Sequence, residues 1–121
     1  NGGKSMLSPD LQRLSHIQKY CEHIRDSQLR FGKSFETFCS DLVFQQSLAF
    51  CVLQIGELCN GLSEEYRKAT GDKIQWNAIR GLQNIVAHAY ARIKLDVLWD
   101  VITTDIPELK QFCDQQISEA E

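Results

Sequence analysis

Apolar residues recur at steps of three and four along most of this chain, and this spacing constrains the fold more than any other feature of the sequence. The first series comprises Leu11, Leu14, Ile17, Cys21 and Ile24. Residues at this spacing lie on one face of an α-helix, whereas a half-buried strand alternates between apolar and polar residues. No such alternating stretch is present in the sequence. We therefore predict an all-α fold.

Turn and capping residues divide the chain into helices. Ser8 followed by Pro9 predicts the start of the first helix, because serine caps a helix and proline fits its first position. This helix should run to about Arg30 and end near Gly32. Residues 31–39 are predicted to form a loop with three aromatic anchors: Phe31, Phe35 and Phe38.

The second helix, capped by Ser40 or Asp41, is unusually apolar. Its middle, residues 48–53, is apolar on every side, and such a helix must be covered all round. A second subunit could cover one face. The residues of that face would be Leu42, Phe50 and Leu53. The alternative is a central helix wrapped by its own chain.

Three further helical regions are predicted after the turn at Asn60-Gly61. Ser63 begins a short helix that ends by Gly71. A third long helix begins near Gln75 and finishes between residues 90 and 92. The last region opens near Leu95.

Pro107 interrupts the last helical region. It should cause a kink or a restart capped by Thr104 or Asp105, because proline lacks a backbone donor. Short connections favour an up-and-down antiparallel bundle of four to five helices. A single domain is assigned to residues 6–118, with a cloning remnant at 1–5 and a C-terminal tail at 119–121.

Composition narrows the possible functions. The 121 residues carry a formal net charge of −3, so an RNA contact would require a local basic patch.

The five cysteines form no C-x-x-C pair. Buried reduced thiols are favoured, which is typical of a cytoplasmic protein. We expect no metal site, no cofactor and no membrane association, since no apolar run approaches the ~20 residues of a membrane span.

The third long helix carries a polar column beside its apolar stripe. Residues four apart lie above one another on a helix, so such a column could hold a phosphate, with a histidine to move a proton near neutral pH. An exposed polar face would look the same. The column consists of Arg80, Asn84, His88 and Arg92, and it is flanked by Gln83 and Tyr90.

The segment Gln83–Tyr90, read Q-N-I-V-A-H-A-Y, resembles the R-N-x-x-x-H-x-Y signature of HepT-like proteins in the HEPN superfamily. Further segments resemble this family in the same order along the chain. They are Ile55-Gly56-Glu57, Ile74-Gln75-Trp76, and the set Trp99, Ile102, Asp105, Pro107 and Leu109. The resemblance covers about residues 6–118.

This resemblance implies a HEPN-like helical homodimer in which two motifs face a shared cleft. Active members are metal-independent ribonucleases, often toxins paired with a minimal nucleotidyltransferase antitoxin. The resemblance makes His88 the catalytic histidine and Asn84 its polar partner. Tyr90 becomes a candidate for AMPylation by the antitoxin, and Glu57 a residue that orients the motif.

One position departs from the family pattern, because Gln83 stands where the family has arginine. Glutamine donates a hydrogen bond to a phosphate but carries no charge. Arg80 could partly substitute, and Arg92 could add a phosphate contact. Three interpretations stay open: a weakened RNA-cleaving toxin, a non-catalytic nucleotide-binding or regulatory partner of a nucleotidyltransferase, and a purely structural dimer. A dimer of dimers is also open.

Overall fold

The structure, a computed structural model, describes residues 8–82, 84 and 94–121. This part of the chain is helical and contains no strand, which confirms the all-α class. The helices are α1 (Pro9–Phe31), α2 (Phe35–Ser40), α3 (Leu42–Asn60), α4 (Glu64–Ala69), α5 (Trp76–Arg80), α6 (Leu95–Asp100) and α7 (Ile106–Ala120), with a π-helical turn at Val101–Asp105.

Helices α1 and α3 pack side by side and run antiparallel. Near the start of α1, the Asp10 carboxylate accepts hydrogen bonds from the Ser63 N–H and hydroxyl at 2.8 and 2.7 Å, just beyond the end of α3. Near the other end of α1, the hydroxyls of Ser27 and Ser47 are 3.1 Å apart. The chain therefore returns along α1, as predicted for an up-and-down bundle.

Helix α7 covers another face of α1. The Gln18 amide donates to the Asp114 carboxylate at 2.6 Å, and Lys110 binds the same carboxylate at 2.7 Å. The π-helical turn before α7 lies near the later part of α1, where Ile102 and Ile24 line one groove. Later residues of α1 thus meet earlier residues of the last helical region, so this pair is antiparallel too.

One apolar core joins these helices. The predicted stripe of α1 is buried, including Leu14, Ile17 and Ile24. Aromatic rings belong to the same core, in which the ring centroids of Phe38 and Phe44 lie 5.5 Å apart. Fully burying each such side chain contributes roughly 1.5–3 kcal/mol. Core packing therefore carries most of the stability of this bundle.

The ends of α1 and the start of α3 follow the predicted capping chemistry. The Ser8 hydroxyl accepts from the Leu11 N–H at 3.1 Å, and α1 ends before Gly32, whose φ of 123° suits a residue without Cβ. Asp41, rather than Ser40, caps α3 by accepting from the Phe44 N–H at 3.1 Å. The predicted caps at Ser8 and Asp41 are confirmed.

The loop predicted for residues 31–39 is wrong over its second half. Ser34 accepts from the Thr37 N–H at 3.1 Å and caps the short helix α2. This helix buries Phe38 completely and leaves Phe35 41% exposed. A six-residue helix is too short to display a periodic stripe, which explains why the pattern did not reveal it.

The interruption at Pro107 is confirmed, although its form differs from the prediction. The Ile106 N–H donates to the Val101 carbonyl five residues back, so the turn before Pro107 is π-helical. Asp105 has helical backbone angles and its side chain makes no capping hydrogen bond. The predicted capped restart at Thr104 or Asp105 is therefore wrong.

Helix α3 is long and apolar enough to cross a membrane, with 19 residues and a mean hydropathy of 1.4. Its apolar residues are interrupted by polar ones such as Gln45 and Gln46, so α3 meets this criterion by length and mean composition only. Within the described part of the chain, α3 packs along α1 and buries Phe44, Leu48 and Ile55 completely. Its apolar composition is thus also that of the central helix of a bundle.

Candidate functional site

Trp76 anchors the segment that leads into the polar motif. Its indole is buried, and Nε1 donates to the Thr70 hydroxyl at 2.8 Å. That hydroxyl in turn donates to the Tyr66 carbonyl at 2.8 Å. The indole also meets the Phe112 ring edge-on, with centroids 5.4 Å apart. Helix α5 is therefore held by packing and by a satisfied buried hydrogen bond.

Arg80 connects the end of α5 to the end of α3. Its Nε donates to the Asn60 side-chain oxygen at 2.8 Å. Asn60 lies three residues after Glu57, and residues at this spacing share a helix face. The structure thus brings Arg80 to the end of α3 that carries Glu57, and both side chains are exposed.

The predicted uninterrupted helix from about Gln75 is wrong at Gly81. Helix α5 starts at Trp76 and ends at Arg80, and the Gly81 N–H donates to the Asn77 carbonyl at 3.2 Å. The Asn84 N–H then donates to the Gly81 carbonyl, three residues back, at 3.1 Å. Arg80 and Asn84 lie on opposite sides of this turn, and the column expected from their spacing stays a prediction.

Asn84 is exposed. The other motif residues lie outside the described residues: Gln83, His88, Tyr90 and Arg92. Their assignments stay predictions. The two remaining histidines, His16 and His23, are exposed on α1.

An open cleft of about 380 Å³ lies beside this segment. We call it the α4–α5 cleft. Its lining is Glu64, Arg67, Lys68, Gly71, Ile74, Gln75, Trp76, Asn77 and Arg80. Sequence reasoning missed Arg67 and Lys68, because no spacing rule relates α4 to α5. The two helices are brought together by the packing of Tyr66 near Trp76, with ring centroids 6.5 Å apart, and by the Trp76–Thr70 hydrogen bond.

The described residues offer little other reactive chemistry. Cys21, Cys51, Cys59 and Cys113 are buried free thiols, as predicted. Burial raises the pKa of Cys59 to about 12 and that of Cys51 to about 11. These thiols stay protonated near neutral pH and are poor nucleophiles. Within these residues, no group of three or more His, Cys, Asp or Glu side chains is placed to hold a metal ion.

Comparison with known protein families identifies the family of this helical chain. The family model described as ribonuclease HepT-like matches residues 17–116. The chain belongs to the HepT-like family. The matched region contains the whole segment from Glu57 to Arg92, so the family assignment covers every predicted site residue of this HepT-like chain.

Individual relatives agree with this assignment. A predicted RNase of Caldanaerobacter subterraneus subsp. tengcongensis is 31% identical over 98 residues, covering 81% of this chain and 85% of the relative. A protein named as a probable ribonuclease HepT from Thermococcus cleftensis is 28% identical over 63% of this chain and 68% of its own. A predicted RNase of Methanocaldococcus jannaschii is 23% identical over 64% of this chain and 70% of its own. No solved structure matches the chain significantly.

Proposed function

We propose that this HepT-like chain is a metal-independent endoribonuclease, the toxin of a toxin–antitoxin pair, and that it cleaves RNA in a cleft between two subunits. The observation that carries the proposal is the family match over residues 17–116, which includes the histidine of the motif, His88. The hydrogen bond between Arg80 and Asn60 supports it, because it orders a cation three residues before the motif segment in the chain.

The proposed reaction uses the RNA as its own nucleophile. His88 of one subunit takes the proton of the ribose 2′-hydroxyl, and the 2′-oxygen attacks the adjacent phosphorus. The bond from phosphorus to the 5′-oxygen of the next nucleotide breaks. His88 of the partner subunit gives that leaving oxygen a proton. The products are a 2′,3′-cyclic phosphate and a 5′-hydroxyl, and no co-reactant is needed.

The remaining motif residues hold the phosphate in this scheme. Asn84 and Gln83 donate hydrogen bonds to its non-bridging oxygens, while Arg80 and Arg92 supply positive charge. Glu57, exposed on α3 near the Arg80 contact, orients the motif segment. Because Gln83 is neutral, we expect this HepT-like chain to cleave RNA more slowly than a relative with arginine there.

The proposed partner is a minimal nucleotidyltransferase antitoxin. It would transfer AMP from ATP to the Tyr90 hydroxyl, which forms a phosphate ester as pyrophosphate leaves. The added bulk and negative charge would block RNA from the cleft. We place this toxin and its antitoxin in the cytoplasm, where their RNA and nucleotide substrates occur.

Homodimer formation is proposed at the exposed apolar face of α3. Leu42 is 61% exposed, Val43 is 62% exposed and Phe50 is 52% exposed. Leu53, also predicted for this face, is half-buried. Apolar side chains this exposed and this close in sequence are typical of an interaction surface. A second copy covering them would meet the requirement that an apolar helix be covered all round.

Leu42→Glu is expected to weaken the homodimer at least about tenfold, because a carboxylate would be desolvated in the interface. The monomer should keep its stability, since an acidic residue at the first position of α3 favours the helix. Sedimentation equilibrium measures the dimer dissociation constant. The control is Gln111→Glu, which adds the same charge at an exposed site on α7. Equal dimer constants for both variants would contradict this interface.

RNA cleavage in EDTA tests the proposed activity. The purified chain should cut a generic single-stranded RNA and leave the same sequence with 2′-O-methyl groups intact, because methylation removes the nucleophile. The products should carry 2′,3′-cyclic phosphates, which mass spectrometry detects. Cleavage of the methylated strand, or of neither strand, would contradict the mechanism.

A second candidate is favoured by Gln83. Without the charged fork of arginine, the motif could bind a nucleotide phosphate without cutting RNA, so that the chain acts as a regulatory partner of the nucleotidyltransferase. Nucleotide binding measured by calorimetry, together with intact RNA in the cleavage assay, would support this candidate over the toxin.

A further inference from the structure

The α4–α5 cleft is a basic site on an acidic protein. It is lined by three cations, Arg67, Lys68 and Arg80, and by one carboxylate, Glu64. The local formal charge is therefore 3 − 1 = +2, whereas the chain carries −3. Attraction of a polyanion to this protein must come from a local patch, because the net charge repels it. The α4–α5 cleft has the required sign.

Two of these cations are held in place by the fold. Arg67 donates through Nη1 to the Leu62 carbonyl, and Arg80 donates through Nε to Asn60. Each contact uses one of the five N–H donors of a guanidinium. Because these side chains are already ordered, binding a phosphate costs less side-chain entropy than it would with mobile arginines.

An incoming anion can replace the present ion-pair partner of Lys68. Its Nζ lies 3.8 Å from the Glu64 carboxylate, and the two side chains are 79% and 77% exposed. Exposed ion pairs of this kind add little stability. A phosphate oxygen, which accepts a charge-assisted hydrogen bond, can therefore replace Glu64 as the partner of Lys68.

The position of the cleft relates it to the motif. Arg80 lines the cleft, and four residues of chain keep its Cα within roughly 14 Å of the Cα of Asn84, so a strand that contacts Asn84 can also contact the cleft. Amide groups of Gln75 and Asn77 also line it and can donate to phosphate oxygens. Its volume of about 380 Å³ falls within the range of small-ligand sites, roughly 300–1,000 Å³.

We propose that the α4–α5 cleft binds the phosphate backbone of single-stranded RNA next to the scissile bond, with Arg67, Lys68 and Arg80 contacting its phosphates. This inference rests on the proposed ribonuclease function, and it assigns to α4 a role in holding the substrate. Contacts to phosphates are independent of base sequence. The cleft therefore contributes affinity and register, while sequence preference arises elsewhere.

Binding of a non-cleavable strand tests this proposal apart from catalysis. The probe is a fluorescein-labelled 2′-O-methyl RNA of about 12 nucleotides, within the range of single-strand sites, and fluorescence anisotropy gives the dissociation constant. In about 50 mM salt, Lys68→Gln should weaken binding about fivefold and reduce the slope of log K against log salt by about 0.7. Glu64→Gln should tighten binding, because it removes the competing carboxylate.

Lys33→Gln is the matched control. It removes the same charge from an exposed lysine beyond the far end of α1. The Asp10–Ser63 contact places the start of α4 near the beginning of α1. At 1.5 Å per residue, the 23 residues of α1 separate Lys33 from that end by roughly 30 Å. Equal weakening by Lys68→Gln and Lys33→Gln would overturn the proposal, since it would show a general charge effect.

The cleavage assay separates this proposal from the proposed activity. Lys68→Gln should raise KM for cleavable RNA and leave kcat nearly unchanged. Cleavage with no effect of Lys68→Gln on binding or KM would overturn the cleft as an RNA site and leave the ribonuclease standing. It would also favour a protein partner as its occupant. Probe binding that depends on Lys68, without cleavage, would support the cleft and contradict the ribonuclease.

Discussion

His88→Ala lowers the rate of RNA cleavage by at least about 10²–10⁴-fold, the range expected for loss of one general acid or base, because the variant homodimer lacks both the base and the acid of the proposed reaction. In the proposed reaction no other side chain of the motif moves a proton to or from the RNA. Single-turnover cleavage of labelled RNA in EDTA measures the rate. The control is His16→Ala, the same change at an exposed histidine of α1, which should leave the rate unaltered.

Two further measurements test whether the loss of activity is due to misfolding and whether both histidines act in one cleft. His88→Gln should be as inactive as His88→Ala while melting at the same temperature as the wild type, which excludes misfolding. After co-refolding, a one-to-one mixture of wild-type and His88→Ala subunits contains about a quarter wild-type homodimers. Activity near a quarter of wild type would show that both histidines serve one cleft, whereas about half would show that each subunit acts alone. Unimpaired cleavage by His88→Ala would contradict the mechanism.

Local chemistry in the sequence was sufficient to predict the long helices and their ends. The stripe through Leu14 and Ile24 is buried, and Ser8, Asp41 and Gly32 act at the ends where their capping preferences place them. Each of these signals depends on residues within one or two turns of the chain. Periodicity and capping therefore suffice for α1 and α3.

Features that depend on tertiary packing could not be predicted in this way. Helix α2 is short, and it is stabilised by the burial of Phe38 beside Trp99. The centroids of these two rings lie 4.9 Å apart, although the residues are 61 positions apart in the chain. The contact of Arg80 with Asn60 likewise joins residues from two helices. Spacing along one helix predicted an uninterrupted helix from about Gln75, and it did not reveal the turn at Gly81.

The candidate site also contains residues that the sequence predicted and residues that only the packing of helices revealed. The family resemblance predicted the motif residues, because their order along the chain is distinctive even where one of them differs. It could not predict that Arg67 and Lys68 line one cleft with Arg80, because this depends on the packing of α4 against α5. Arg67 and Lys68 lie in the last turn of α4, where basic residues commonly interact favourably with the helix dipole. Their sequence context therefore did not indicate a binding site.

Gln83→Arg raises the rate of RNA cleavage by about 10²–10³-fold if the neutral side chain is what weakens this HepT-like chain. Arginine would offer a charged, planar fork to the phosphate, and charge develops on its oxygens in the transition state. The gain should therefore appear in the single-turnover rate constant more than in RNA affinity. Gln83→Lys restores the charge without the fork, so its gain should be smaller.

A matched control decides whether the gain is specific. Gln111→Arg adds the same charge at an exposed position of α7 and should change the cleavage rate little. The double variant Gln83→Arg, His88→Ala should be as inactive as His88→Ala alone, because the arginine assists a reaction that needs the histidine. If Gln83→Arg gains no activity while wild type and variant both bind nucleotide, the charge at this position does not limit cleavage, and the non-cutting regulatory partner becomes the better account of the chain.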